Sequence, residues 1–365
     1  MKRLMAVLMA LLLAGCGPAG QIEGQAFCVS LAVDAGESGG IVLSARYPSY
    51  GANGKDEKSD YLLTVAAGPD FASALYALNA AIPRALNLTQ VKSLIVSERI
   101  ASSAGFFSLL RDMKLSRLDG EANLIVCGGE ARSLLEAQQP LIGLRLSDTL
   151  VTEIERYRSL GTVPGGTLQR VFYDAASVYS DPVATYAAAR PKEAEAESNP
   201  PAPEAEAGAL EYEGENRDEY FGAALFRGGA MAGTLGGGET QILRLIRDGA
   251  TGLPMAMNGA LLTVSRRGAL RVAVDFEAGR VSVSLEAGIE DPRGDAEETA
   301  VAKALSDGLD ALTEKCQALG VEPFGYAHFA AARFPALSDW TAFDWRAWFA
   351  AAAVEYRVRV EKINR

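Results

Sequence analysis

Residues 191–208 read PKEAEAESNPPAPEAEAG and contain no large apolar side chain. A segment of this composition cannot bury enough surface to offset the entropy lost when it is ordered. We therefore expect it to be solvated, and extended or disordered. The main domain boundary is predicted here, with a linker at 191–214 between an N-terminal α/β region at 26–190, which has room for two subdomains, and a C-terminal α+β domain at 215–365.

The first residues of the chain have the order of an export signal. Lys2 and Arg3 precede an apolar run at 4–13, which is followed by small residues and Cys16. The run is too short to cross a membrane, which takes about 20 apolar residues. The sequence LAGC at 13–16 resembles the lipobox of bacterial lipoproteins, which implies a diacylglyceryl group on Cys16. We predict a signal peptide at 1–15 and a lipidated tether at 16–25, and an ordinary secretory signal is the alternative.

The charge of the chain excludes one class of partner. The formal net charge is −11 and the sequence pI is about 4.9, whereas binding to phosphates requires a basic surface. Nucleic acid is therefore not a predicted partner. An acidic body is also repelled by anionic lipid, so we expect the acyl chains on Cys16 to hold the protein at the bilayer.

The apolar pattern predicts an α+β fold of more than one domain. The N-terminal region alternates strands with helices, and the C-terminal domain is predicted to be an antiparallel sheet covered by one long helix. That helix shows apolar residues at helical spacing and ends at Gly320, a suitable C-terminal cap. The predicted strands are 26–34, 41–47, 91–96, 121–127, 220–226, 270–276, 281–285 and 354–363; the predicted helices are 70–82, 98–110, 147–159 and 295–319.

Three cysteines remain after Cys16. Cys28 and Cys127 lie in apolar strand-like runs, and Cys316 lies on the apolar face of the long helix. Cysteine is among the most buried residue types. We expect three inert core thiols, with one disulfide as the alternative.

No pattern in the chain predicts catalysis, a metal or a cofactor. His328 is the only histidine, it lies among aromatic residues, and no Gly-x-Ser-x-Gly sequence accompanies it. We expect it to be packed or at an interface. The sequence GTLGGGE at 233–239 lacks the Gly-Lys-Ser/Thr of a phosphate loop and predicts a strand-to-helix turn with positive φ. Trp345, Trp348 and Phe349 have helical spacing, which indicates a short helix anchored on the sheet, although such a cluster also suits stacking on a sugar or a partner.

Read together, these segments resemble the Ger(x)C family, the lipid-anchored C subunit of spore germinant receptors. The similar pieces occur in the family's order and cover nearly the whole mature chain. One departure precedes the Phe-Gly pair, where the family's usual aspartate is replaced by Glu322-Pro323. The matching segments are the lipobox at Cys16, the strand ending at Asp34, VKSLIVSE at 91–98, RDMKLSR at 111–117, GAALFR at 222–227, MAGTL at 231–235, ET at 239–240, PFGY at 323–326, Trp340, DW at 344–345 and the closing strand.

The resemblance implies a non-enzymatic subunit of a receptor complex, needed for nutrient-triggered germination and beside two polytopic membrane subunits. It implies a location on the outer face of the spore inner membrane and supplies no catalytic or cofactor-binding residues. Two other functions stay open at this point. A solute-binding lipoprotein of a transporter also needs an anchor and two lobes, but its lobes usually repeat one strand–helix pattern around a cleft. An envelope hydrolase would have to use His328.

Overall fold

The computed structural model of the chain describes residues 22–363, apart from 38, 50–60, 140–144, 191–201, 211, 213 and 258. Cys16 and the predicted signal peptide at 1–15 therefore lie outside the described residues. After a 3₁₀ turn at Ile22–Gly24, the first half contains β1 (Gln25–Phe27), β2 (Ser30–Ala35), β3 (Ile41–Pro48), β4 (Tyr61–Gly68), α1 (Phe71–Ala81), β5 (Ala85–Asn87), β6 (Ser93–Ser97), α2 (Glu98–Ala101), α3 (Phe106–Leu115), β7 (Asn123–Gly128), α4 (Ala131–Ala137), α5 (Leu146–Leu160), α6 (Leu168–Ala176) and β8 (Val183–Ala189).

The second half adds six strands and five helices to the described structure. They are β9 (Asp218–Arg227), β10 (Ala230–Leu235), α7 (Gly237–Arg247), β11 (Leu253–Met257), β12 (Ala260–Asp275), β13 (Arg280–Glu290), α8 (Glu298–Leu319), α9 (Ala327–Ala331), α10 (Leu337–Ala342), α11 (Trp345–Ala351) and β14 (Ala353–Lys362). The predicted α+β class is confirmed: the described strands form three sheets, and helices pack against them.

An eight-stranded sheet forms the centre of the first half, in the order β10-β9-β8-β7-β6-β2-β3-β4. Its four middle strands, β8, β7, β6 and β2, are parallel, and an antiparallel pair flanks them on each side. Parallel strands need both faces covered, and every residue of β6 is buried. Helices α1, α3 and α6 pack on one face, whereas α4 and α5 pack on the other.

Strands β9 and β10 follow the predicted linker in sequence, yet they belong to this first sheet. β9 pairs antiparallel with β8, so the sheet continues across the predicted boundary. The described part of the linker also packs on the body. The backbone N–H of Ala207 donates to the Phe221 carbonyl at 2.9 Å, and Gly208 N donates to the Glu219 carboxylate at 2.7 Å. Composition does not predict this docking, because backbone groups and a remote carboxylate make the contacts.

The second half contains a four-stranded sheet in the order β11-β12-β13-β14. Three strands are antiparallel, as expected, but β14 runs parallel to β13. The chain between them forms α8 to α11, and a crossover of that length returns the chain to the same end of the sheet. The long helix α8 covers the sheet and ends at Gly320, whose φ of 66° is left-handed. Its buried stripe consists of Val301, Leu305, Leu309, Leu312, Thr313 and Cys316.

Two further differences concern local structure. The helix predicted at 98–110 is two helices, α2 and α3, because the chain turns at 102–105 and α3 restarts after Gly105. The short parallel pair β1–β5 lies outside the eight-stranded sheet and divides the strand predicted at 26–34 into two.

Candidate functional site

The connection from α6 to β8 joins the two halves of the molecule through Asp181. This residue is only 2% exposed. Its carboxylate accepts a hydrogen bond from the Glu322 backbone N–H at 2.8 Å and two from Arg346, from Nε at 2.9 Å and from Nη2 at 2.6 Å. Its own N–H donates to the Glu322 carbonyl at 2.9 Å. Charge-assisted bonds of this kind are the strong ones, so Asp181 fixes the C-terminal segment against the first half.

Arg247, the last residue of α7, extends the same network. Its Nη2 lies 2.5 Å from the carboxylate of Asp174, and its Nη1 donates to the carbonyls of Asp181 and Pro323 at 3.2 and 3.0 Å. Burial lowers the pKa of this guanidinium, and the nearby carboxylates oppose that effect. Asp174 is also buried, and Arg170 gives it a second cationic partner. The junction thus contains compensated charges, which the two halves supply jointly.

Glu322 is a third buried acid of this junction, at 1% exposure. One carboxyl oxygen accepts a hydrogen bond from the Tyr326 N–H at 3.1 Å. Burial raises the pKa of this carboxyl to about 8, and the charge of Asp181 acts in the same direction. At neutral pH the Glu322 side chain therefore holds a proton and can donate a hydrogen bond.

Aromatic rings lie next to these charges. The ring of Tyr179 stacks between His328, with centroids 4.5 Å apart, and Trp340, with centroids 6.4 Å apart. The indole N–H of Trp340 donates to the Val178 carbonyl at 3.3 Å. Trp345 stacks on the next tryptophan of its helix, at 5.2 Å. The connection at 177–182 is therefore held by rings as well as by ion pairs.

The predicted helix anchor is present in α11. Trp345 and Phe349 are buried in the core of the second half, and Trp348 packs against that core from its edge. His328 is not packed in the core: it is solvent-exposed, and one face of its ring stacks on Tyr179. Within the described part of the chain, its side chain makes no hydrogen bond with an acid or a nucleophile.

The glycine-rich turn joins β10 to α7, as predicted, but its glycines do not have the predicted positive φ. Glycine is needed here because other residues pack closely against the backbone of the turn. A Cβ on Gly237 would collide with the Phe221 ring, and a Cβ on Gly238 would collide with Pro203. The N–H groups that begin α7 are occupied: Gly237 N donates to the Ala205 carbonyl at 3.0 Å, and Glu239 N donates to the Pro203 carbonyl at 3.1 Å. Docked linker residues thus fill the place where a phosphate would bind in a phosphate loop.

The three cysteines are buried free thiols. Burial raises the pKa of Cys28 and of Cys127 to about 12 and raises that of Cys316 further, which makes all three poor nucleophiles. Across the described ranges, no three His, Cys, Asp or Glu side chains cluster in a way that would hold a metal. No helix in those ranges is both long and apolar enough to cross a bilayer.

The residues that join the two halves were not identified from the sequence. Asp181 and Arg346 are 165 positions apart, and nothing in either neighbourhood indicates the other. In the sequence, Glu322 is distinguished only because Glu322-Pro323 stands where the Ger(x)C family usually has an aspartate before the Phe-Gly pair. The signal for Arg247 was weak, because the helix that it ends mixes apolar with polar side chains. Only the folded chain shows that this cation is buried and therefore needs an anionic partner.

These features define a class: an α+β protein of two parts, joined through a buried network of ion pairs and stacked rings. Comparisons with known proteins identify the family to which the chain belongs. The family model described as "Spore germination protein N-terminal domain" matches residues 19–189, and the one described as "Spore germination B3/ GerAC like, C-terminal" matches residues 221–365. The chain therefore belongs to this spore germination family, and the resemblance seen in the sequence is confirmed.

A solved structure supports the fold. The crystal structure of the GerBC protein is similar over 92% of this chain and 97% of that chain, with a TM-score of 0.51 and 14% sequence identity. A likeness at that identity concerns the fold alone. The comparison with curated proteins gave no match. Family membership supports a role as a subunit of a germinant receptor, a membrane-associated complex.

Proposed function

We propose that this protein is a lipid-anchored, non-enzymatic subunit of a spore germinant receptor, needed for nutrient-triggered germination. It is held on the outer face of the spore inner membrane through Cys16 and docks there on polytopic membrane subunits. The observation that carries the proposal is the match of both halves to spore germination family models. The sequence at 13–16 supports the anchor, since it has the order of a lipobox.

The geometry of the junction is consistent with a rigid docking body. Asp181, Arg247 and Arg346 connect the halves through short charged contacts, so the relative position of the halves is fixed by bonds that cost energy to break. A rigid body of this kind presents one constant surface to its partners. The two halves do not repeat one strand–helix pattern, which is the arrangement that would favour a transporter's solute-binding protein.

The anchor is tested by a Cys16→Ala substitution in the full-length chain, expressed in the sporulating host. We expect loss of incorporated radiolabelled palmitate, release of the protein from the spore membrane fraction and defective nutrient germination. Cys316→Ala is the matched control, because this thiol is buried in the core of the second half. That variant should still be labelled with palmitate and held in the membrane fraction. Membrane retention and normal germination of the Cys16→Ala spores would contradict the proposed anchor.

A further inference from the structure

One corner of the first half carries very little charge. Residues 61–90, which form β4, α1 and β5, contain two charged side chains, Asp70 and Arg84, although 22% of the whole chain is charged. A surface helix normally presents charged side chains to water. The most exposed residues of α1 are instead alanines and Tyr76. Such a surface suits contact with something less polar than water.

Two large apolar side chains are exposed there. Tyr76 is 77% exposed, and Leu62, on β4, is 47% exposed. Leu62 stands opposite Tyr47 in the antiparallel pairing of β3 with β4, so the two side chains lie on the same face of the sheet. Tyr47 packs against Ile82, which directly follows α1. Leu62 therefore lies next to the C-terminal end of the helix that carries Tyr76.

The segment that follows the proposed anchor reaches the body at this corner. β1 pairs parallel with β5, the strand that follows α1, and Ala26 of β1 packs against Tyr47 and Ile82. Ile22, three residues before β1, is 70% exposed. Cys16 is six residues earlier, and a chain of that length spans at most about 20 Å. Ile22 therefore lies within about 20 Å of the acyl chains that the proposed anchor places on Cys16.

The charge distribution favours the same corner. The chain has a net charge of −11, so most of its surface is repelled by anionic lipid headgroups. Residues 61–90 have no net charge, because Asp70 and Arg84 balance each other. The Asp70 carboxylate accepts the Ser73 N–H at 2.8 Å and caps α1, and Arg84 is exposed beside β5. An anionic bilayer therefore repels the rest of the body and admits this corner.

The exposed side chains suit the headgroup region of a bilayer better than they suit a protein partner. Tyrosine is enriched at membrane–water interfaces, because its ring is apolar and its hydroxyl is polar. The core of a protein interface is rich in large aromatic and methionine side chains, whereas alanines make up most of the exposed side of α1. The occupant that these side chains fit is therefore lipid.

We infer that the corner formed by Ile22, Leu62, Tyr76 and Ala80, the lipid-facing corner, lies on the bilayer surface. Tyr76 and Leu62 enter the headgroup region, and Arg84 faces anionic headgroups. β4 is one edge of the eight-stranded sheet, and β10, which leads into the second half, is the other. Strand spacings of about 4.8 Å place these edges about 34 Å apart, so the second half lies at the far end of the body from this corner. The inference rests on the proposed anchor and adds an orientation, which the anchor alone does not fix.

The test uses the full-length lipidated chain, reconstituted in vesicles of phosphatidylcholine and phosphatidylglycerol. Its buried cysteines, Cys28, Cys127 and Cys316, are poor nucleophiles, so a thiol-reactive fluorophore labels an introduced cysteine selectively. A second set of vesicles contains phospholipid with a spin label at the start of an acyl chain, which quenches fluorophores close to the headgroup boundary. Flotation shows whether the vesicles hold the chain.

Leu62→Cys and Tyr76→Cys place the fluorophore on the lipid-facing corner. Leu261→Cys and Tyr173→Cys are the matched controls, because these side chains are 65% and 66% exposed on other parts of the body. We expect quenching to be at least about twofold stronger at Leu62 and Tyr76 than at the controls, because an interfacial surface lies within about 10 Å of the boundary between headgroups and acyl chains.

The outcomes separate this inference from the anchor. Equal quenching at all the labelled positions, in vesicles that hold the chain, would overturn the orientation and leave the anchor standing. Failure of the chain to float would contradict the anchor and, with it, this inference. Weak quenching at Leu62 and Tyr76 in vesicles, together with protection of cysteines at the same positions from a thiol reagent in intact spores, would assign the corner to a protein partner and would also overturn the proposal.

Discussion

The buried carboxyl of Glu322 should make the stability of the protein fall as pH rises. Its pKa is about 8 in the folded state, against an ordinary value of 4.5. Between these two values the folded chain holds a proton that the unfolded chain has released, so the free energy of unfolding decreases with increasing pH. The stabilisation is complete below the unfolded pKa and is lost as pH approaches the folded pKa.

The size of the effect follows from the two pKa values. One proton changes the free energy of unfolding by about 1.36 kcal/mol per pH unit, so this carboxyl accounts for a decrease of about 2 to 3 kcal/mol between about pH 5 and about pH 7. Burial also raises the pKa of Glu153 and of Asp218, which lie near each other. These groups act with the same sign, so a comparison with a variant is needed to isolate Glu322.

Glu322→Gln keeps the shape of the side chain and the acceptor for Tyr326, but it cannot ionise. Urea denaturation across this pH range should show a shallower decrease for Glu322→Gln than for the native chain, by about 2 to 3 kcal/mol. The matched control is Glu286→Gln, at a solvent-exposed side chain, which should follow the native profile. Parallel profiles for Glu322→Gln and the native chain would refute the argument from burial.

Two further substitutions test the junction and the glycine-rich turn by urea denaturation. Arg247→Met removes the donor to the carbonyls of Asp181 and Pro323 and one of the two cationic partners of Asp174, and it should cost about 3 kcal/mol. Arg271→Met, in an exposed ion pair, should cost less than about 1 kcal/mol; equal costs would contradict the assigned role of the network. Gly237→Ala places a methyl group against the Phe221 ring and should cost about 1 to 3 kcal/mol, while Gly105→Ala, where the added Cβ meets open space, should change stability by less than about 0.5 kcal/mol; a neutral Gly237→Ala would show that the turn adapts.

The helices and strands that could be predicted from the sequence are those in which a single continuous segment carries the whole pattern of apolar residues. Helix α8 repeats its apolar residues along one stripe, and Gly320 ends it. The closing strand β14 alternates partly buried and exposed positions, so its extent was predicted almost to the residue. Its direction relative to β13 was not, because pairing direction depends on the path of four intervening helices and leaves no mark in the strand itself.

The remaining features depend on contacts between distant residues. β9 and β10 were assigned to the second half because a linker composition precedes them, yet their pairing with β8 places them in the first sheet. Asp181 and Arg346, far apart in the sequence, are in contact in the folded molecule. The lipid-facing corner has the same origin, since Ile22, Leu62 and Tyr76 belong to separate segments that meet only in the folded molecule.

The central claim is that this chain works as part of a membrane receptor complex. Its most direct test is crosslinking in intact spores, followed by capture of an epitope-tagged full-length chain and mass spectrometry of its partners. We expect two polytopic membrane proteins to be crosslinked to it and to be lost when the tag is on an unrelated spore lipoprotein. Capture of a transporter permease with its ATPase, or of no polytopic protein, would contradict the claim.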